Sequence, residues 1–257
     1  MRFPNTIPFT IPKLSKDVRE GLQQGVLLGA AVLALVLPPR VAPPPSQPSV
    51  ASGMAAAARQ AAPPVLKRQL DFGSETATPD VRRVAEWVVG SADNGRQPFA
   101  ILDKNDARVY VFEPGGKLSG ATPVLLGYAP GDDTVPGIGQ RPIDQVRPEE
   151  RTTAAGRFSA EPGRNTLPED VVWVDYEAAV SMHPVRVTDP RERRLERLAS
   201  PTPADNRISY GCINMPPKFF QEVLWPAFKR RGGVVYVLPE HKALDEVFPA
   251  LKKTTSA

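Results

Sequence analysis

The chain has 257 residues, with 32 lysines and arginines against 28 aspartates and glutamates, a formal net charge of +4. That length allows one sizeable domain, and charge spread without a long basic run argues against a surface built to track a phosphate backbone, so no nucleic-acid partner is expected. One cysteine and two histidines exclude an intramolecular disulfide and leave too few ligands for a Cys/His zinc site, so neither a metal nor another cofactor is expected.

In chain order, Arg2, Lys13, Lys16 and Arg19 precede the apolar run from Gly25 to Leu37. A basic flank followed by an apolar run is the order of a signal peptide or signal anchor. Residues 1–20 are therefore read as a cytoplasmic basic tail and 21–38 as the anchor or signal. The fully apolar part is short of the ~20 residues that span a bilayer, and extension back through Gln23 and Gln24 to Gly21 lengthens it. Pro38-Pro39 and Pro43-Pro44-Pro45 then stop any helix. Residues 39–72, rich in Pro and Ala, read as an extended spacer; 73–240 is the expected folded domain and 241–257 a polar tail.

Within the folded part, Thr78-Pro79-Asp80 opens a helix whose apolar stripe is Val81, Val84, Ala85, Val88 and Val89. Short β-branched and aromatic runs follow at 99–103, 108–112, 123–126, 156–159, 171–174, 185–187 and 234–238, cut by Gly, Pro and Asp. That spacing predicts a mainly β domain. Glu113-Pro114-Gly115-Gly116-Lys117 supplies a hairpin turn. A second helix is predicted over 217–229, closed by Arg231-Gly232-Gly233.

Chemistry concentrates in Ile208-Ser209-Tyr210-Gly211-Cys212-Ile213-Asn214. A thiol flanked by glycine and small polar groups can be reached by substrate, and neighbouring backbone N–H groups favour its thiolate. With one cysteine in the chain, His183 and His241 are the available imidazole partners. His241, in Pro239-Glu240-His241-Lys242, reads as a surface residue. The Gly131-Asp132-Asp133 and Gly137-Ile138-Gly139 stretches look superficially like phosphate or metal loops, but no Lys-Ser/Thr follows them and their carboxylates lack calcium-loop spacing.

Ser209, Gly211, Cys212, Ile213 and Asn214 match a nucleophile motif that reads Ser/Thr-His-Gly-Cys, an apolar residue, then Asn or Arg. This region resembles the catalytic domain of the L,D-transpeptidases. Arg151 to Phe158 is similar to that family's Thr-Pro-x-Gly-x-Phe strand, Val180 to Val185 to the strand bearing its histidine, and Gly233 to Val237 to its closing strand. The likeness extends over about residues 97–239. Two features depart from the pattern: Tyr210 stands where the family has His, and the interval after His183 carries a charged insert, Asp189 to Arg197. A solvated helix or loop is one reading of the insert, a lid or a contact with an acidic polymer the other.

The resemblance implies a β-sandwich or barrel-like catalytic fold with a few short helices. It also implies a peptidoglycan L,D-transpeptidase, located in the cell envelope. The enzyme would be anchored in the inner membrane with its domain in the periplasm, or released there if the segment is cleaved. Cys212 would be the nucleophile and His183 the general base and acid. The Pro184 carbonyl would orient the imidazole, and backbone N–H groups at Tyr210, Gly211 and Cys212 would hold the oxyanion. Tyr210 could instead shape the pocket. Ser209 and Asn214 would support the loop. Apart from the resemblance, Trp87, Trp173 and Trp225 read as core anchors, and Trp173, on the strand before His183, is the candidate for a pocket wall. Cys212 would form a thioester with a stem tetrapeptide, releasing D-Ala, and pass the acyl group to an amine. The alternatives are an inactive peptidoglycan-binding module and a carboxypeptidase or cross-link hydrolase using the same pair.

Overall fold

The computed structural model describes residues 66–254. The membrane segment read at 21–38 and the spacer before residue 66 lie outside the described residues, among which no helix is long and apolar enough to cross a membrane. The β-branched runs assemble one sheet from β1 (Phe99–Asp103), β2 (Arg108–Phe112), β3 (Leu118–Pro123), β5 (Gly156–Arg164), β6 (Asp170–Asp175), β7 (Val180–Pro184), β9 (Ile213–Met215) and β10 (Gly233–Val237). β4 (Leu126–Gly127) pairs separately, in parallel, with β8 (Arg207–Ser209).

The order across the large sheet is β3-β2-β1-β10-β5-β6-β7-β9. Neighbours are antiparallel except β1 with β10 and β7 with β9. β5 joins the halves: Gly156 to Ala160 pairs with β10, and Glu161 to Arg164 with β6. The sheet curls nearly shut because Leu125, just past β3, exchanges backbone hydrogen bonds of 2.7 and 2.9 Å with Asn214 of β9 at the opposite end.

Alternation of side chains across the pleat then makes two cores. Ala100, Leu102, Val109, Val111, Val172, Met182, Ile213, Met215, Val235 and Val237 face the interior, with Phe220, Leu224 and Phe228 packed among them. Phe99, Ile101, Tyr110, Phe112, Val234 and Tyr236 face outward and are covered by helix α1 (Pro79–Ser91). Thr78 caps α1 by accepting from the Val81 amide at 3.4 Å and donates to Asp103 Oδ2 at 2.7 Å, tying the helix to β1.

Several expectations need correction. The run at 123–126 divides, since Pro123 ends β3 and Leu126 begins β4. The strand expected at 185–187 lies earlier, as β7, and Val187 is exposed. β8 and β9 are three residues each and too polar or too short to stand out. The helix at 217–229 is broken into an α turn Pro217–Phe219, a π segment Phe220–Leu224 and an α turn Trp225–Phe228. Pro226 has no N–H to return to the preceding turn, and a widened turn accommodates it. The stretch read as a C-terminal tail buries Leu244, Phe248 and Leu251 against α1 and β10. The end of the spacer is laid along the 113–117 hairpin, with Gln69 and Asp71 amides donating to Gly115 and Gly116 carbonyls at 2.8 and 3.1 Å.

Candidate active site

The parallel pairing of β7 with β9 builds the site. Met182, Ile213 and Met215 point into the core, so the period of two turns Ser181 and His183 on β7 and Asn214 on β9 to the other face. His183 lies directly across from Asn214. Cys212 precedes β9 by one residue, on the Asn214 side. Its Sγ is 3.8 Å from Ser181 Oγ and 3.6 Å from the Ala179 carbonyl oxygen.

His183 is held at both nitrogens. Nδ1 lies 2.9 Å from the Pro184 carbonyl oxygen, which can only accept, so the proton sits on Nδ1 and Nε2 presents a lone pair. Asn214 Nδ2 donates to that Nε2 at 2.9 Å. Burial disfavours the imidazolium, but the hydrogen bond and charge of the neighbouring Cys212 outweigh it and raise the His183 pKa above 6.5. Burial likewise pushes the Cys212 thiol up, and His183 together with the Ser181 amide and hydroxyl overcomes this, so its pKa falls below 9.0. Each of the two groups thus favours the charged form of the other, and proton transfer between them would make sulfur the nucleophile and leave the imidazole with a proton for a leaving group.

The loop before Cys212 is fixed from below. Ser209 Oγ donates to the Cys212 carbonyl at 2.6 Å and accepts from the Gly211 amide at 3.1 Å. Gly211 has φ of 125°, and a Cβ there would lie 2.8 Å from the Thr152 carbonyl oxygen, so the turn requires glycine. Thr153, fully buried, donates to the Gly211 carbonyl at 2.8 Å and accepts from the Gly127 amide at 2.9 Å.

No family model matches this chain, and no curated protein matches it. Among solved structures it is similar to the one described as "Structure of the Ldtfm-avibactam carbamoyl enzyme", at 18% sequence identity and a TM-score of 0.36, over 56% of this chain and 50% of that one. The chain therefore spans about half the length of that protein, and a likeness so partial assigns no family.

The structure brings Cys212, His183, the Pro184 carbonyl, Gly211, Ser209 and Asn214 together. Two roles differ from expectation. Asn214 bonds the imidazole itself, beyond holding the loop. The Gly211 amide is already engaged by Ser209, which removes it from the set of oxyanion donors. Tyr210 turns its ring outward, 38% exposed, beneath the Arg151 guanidinium at 3.9 Å from the ring centroid. Trp173 is the cross-strand neighbour of Ser181 and stacks edge-on to Tyr176 at 5.1 Å. With Ser159, Glu161 and Tyr176 it lines a cavity of about 510 Å³ to which neither Cys212 nor His183 contributes.

Sequence reasoning missed Ser181, Thr153 and Arg194. Ser181 was findable, because two residues before a strand histidine is the same face. Thr153 and Arg194 come from distant segments and carry no local signal. The Gly131-Asp132 loop is structural: Asp132 accepts the backbone amides of Glu240, His241 and Lys242 at 2.7, 2.8 and 2.8 Å. His241 is exposed, and no cluster of potential metal ligands occurs among the described residues.

Proposed function

We propose that this protein is a cysteine acyltransferase of the L,D-transpeptidase type that acts on peptidoglycan stem peptides. The observation that carries the proposal is the single thiol set beside an imidazole whose other nitrogen is locked to the Pro184 carbonyl. The motif around Cys212 supplies the substrate class.

In this reading the thiol proton passes to Nε2 and Sγ attacks the carbonyl between the third stem residue and the terminal D-Ala. The carbonyl oxygen, now an oxyanion, is met by the backbone N–H groups of Cys212 and Tyr210. The C–N bond breaks, Nε2 returns its proton to the departing D-Ala amine, and a thioester remains. An acceptor amine then attacks the thioester carbon while Nε2 takes its proton, and Sγ leaves as thiolate. The N-terminal segment would hold the domain in the inner membrane facing the periplasm, and a fusion of residues 1–70 to a periplasm-dependent reporter tests this, an inactive reporter refuting it.

The decisive measurement is mass spectrometry of tetrapeptide muropeptides incubated with the protein and with a Cys212→Ala variant. Loss of D-Ala with a dimer or a Cys212 thioester, absent from the variant, is expected. Loss of D-Ala with free tripeptide alone would make the enzyme a carboxypeptidase. Unchanged muropeptides beside an alkylation-inert Cys212 would leave a non-catalytic peptidoglycan-binding module.

A further inference from the structure

The charged insert reaches the catalytic pair. Arg194, at the start of helix α2 (Arg194–Ala199), has a side chain only 14% exposed. Its Nη1 donates to Asn214 Oδ1 at 2.8 Å, and its Nε is held by Glu192 Oε2 at 2.6 Å. α2 is seated by Leu198, which is buried with Leu125 and Val185.

A primary amide has one accepting end and one donating end, whereas a guanidinium only donates. Arg194 can therefore face only Oδ1, and this turns the Asn214 NH₂ toward His183 Nε2, where the 2.9 Å contact is found. An NH₂ in that place needs a lone pair on Nε2. It favours neutral imidazole with protonated thiol and opposes the proton transfer that makes the thiolate. Without the guanidinium the amide can turn over, and Oδ1 would then accept from Nε2–H and stabilise the imidazolium.

We propose that Arg194 is a positioning residue that sets the protonation state of the Cys212–His183 pair by fixing the orientation of the Asn214 amide, so that the insert restrains the nucleophile. The inference rests on the reading of Cys212 and His183 as a reactive pair and is independent of the substrate. Two charged or titratable groups act on the imidazole, Cys212 from the loop and Arg194 from the insert, with Glu192 behind the guanidinium; the direct charge of Arg194 acts in the same sense, lowering the His183 pKa.

The test is the rate of Cys212 alkylation by iodoacetamide in the full chain, from mildly acidic to alkaline pH, for the wild type, Arg194→Ala, Arg194→Lys and Asn214→Asp. Arg194→Ala is expected to react about tenfold faster near neutrality, the equivalent of one hydrogen bond to a charged group. The advantage should vanish at alkaline pH, where thiolate forms without help, and in a His183→Ala background. Arg194→Lys keeps a pure donor and should stay near wild type. Asn214→Asp offers only acceptors and should match Arg194→Ala with the guanidinium still in place, which guards against a folding defect. An Arg194→Ala rate that is unchanged, or raised equally at every pH, or raised without His183, overturns the proposal. A shifted profile in a protein that leaves muropeptides untouched would uphold it while refuting the substrate.

Discussion

A half-buried thiol becomes a thiolate only when a neighbour supplies a proton acceptor and then a positive charge, and Cys212 has one such neighbour in His183. Alkylation of the wild type should therefore reach half its maximal rate below the pH of about 8.5 typical of a free cysteine. In His183→Ala burial remains with only the Ser181 amide and hydroxyl opposing it, so the midpoint should rise and the rate near neutrality should fall about tenfold or more. A midpoint unchanged by the substitution would remove His183 from the pair. Gly211 is the other residue without tolerance. Gly211→Ala forces both a positive φ and a contact with the Thr152 carbonyl, and should cost about 1–3 kcal/mol in urea unfolding while slowing alkylation. The Ser-x-Gly-Cys order made the candidate thiol and its glycine readable, and the alternation along the histidine strand pointed to Ser181; Thr153 was not readable, because it meets the loop through folding of a remote segment.

The elements that carry the site are short, and side-chain clamps do what strand length does not. Lys104, in the turn after β1, is wholly buried, its Nζ 2.8 Å from Asp132 Oδ1, 2.5 Å from the Gly131 carbonyl and 3.0 Å from that of Thr153. Asp132 in turn gathers the amides after β10, while Arg207 of β8 pairs with Glu240. One ion network thus joins the β1–β2 turn, the long loop before β5, the strand that leads into the Cys212 loop and the chain after β10. Lys104→Met leaves the Asp132 carboxylate buried with its cation gone and should cost about 3–5 kcal/mol in urea unfolding. Burial pushes Asp132 up, but Lys104 and the amides outweigh it and its pKa lies below 3.8. Its contribution is then present above the unfolded value and lost as pH falls through the folded one. The acid-induced drop in stability should accordingly be smaller in Asp132→Asn than in the wild type; an equal drop would assign it to other carboxylates.

At the scale of the whole molecule, the chain after Glu240 completes the outer core. Leu244, Phe248 and Leu251 cover α1, where Phe248 meets Trp87 and Tyr236 with ring centroids 6.4 and 6.2 Å apart. Ending the chain at Glu240 should lower stability by about 5 kcal/mol, as three buried apolar side chains are lost. The intact chain and the shortened one can be compared by thermal melting; equal midpoints would return these residues to the status of a tail.

Periodicity and punctuation were enough to place α1, β1, β2, β5, β6 and β10, because each buries a regular pattern of its own. The mainly β class and the stretch holding the thiol were legible for the same local reason. The short strands β8 and β9, the widened helix over 217–228 and the ordered residues after Glu240 were not, since their stability comes from contacts with distant chain. Composition could name one cysteine and two histidines as candidates. Only the parallel register of β7 and β9 set His183 across from Asn214 and beside Cys212, and only the packing of Leu198 brought Arg194 to that amide. Side-chain type is a property of the sequence; which donor faces which acceptor is decided when the sheet closes.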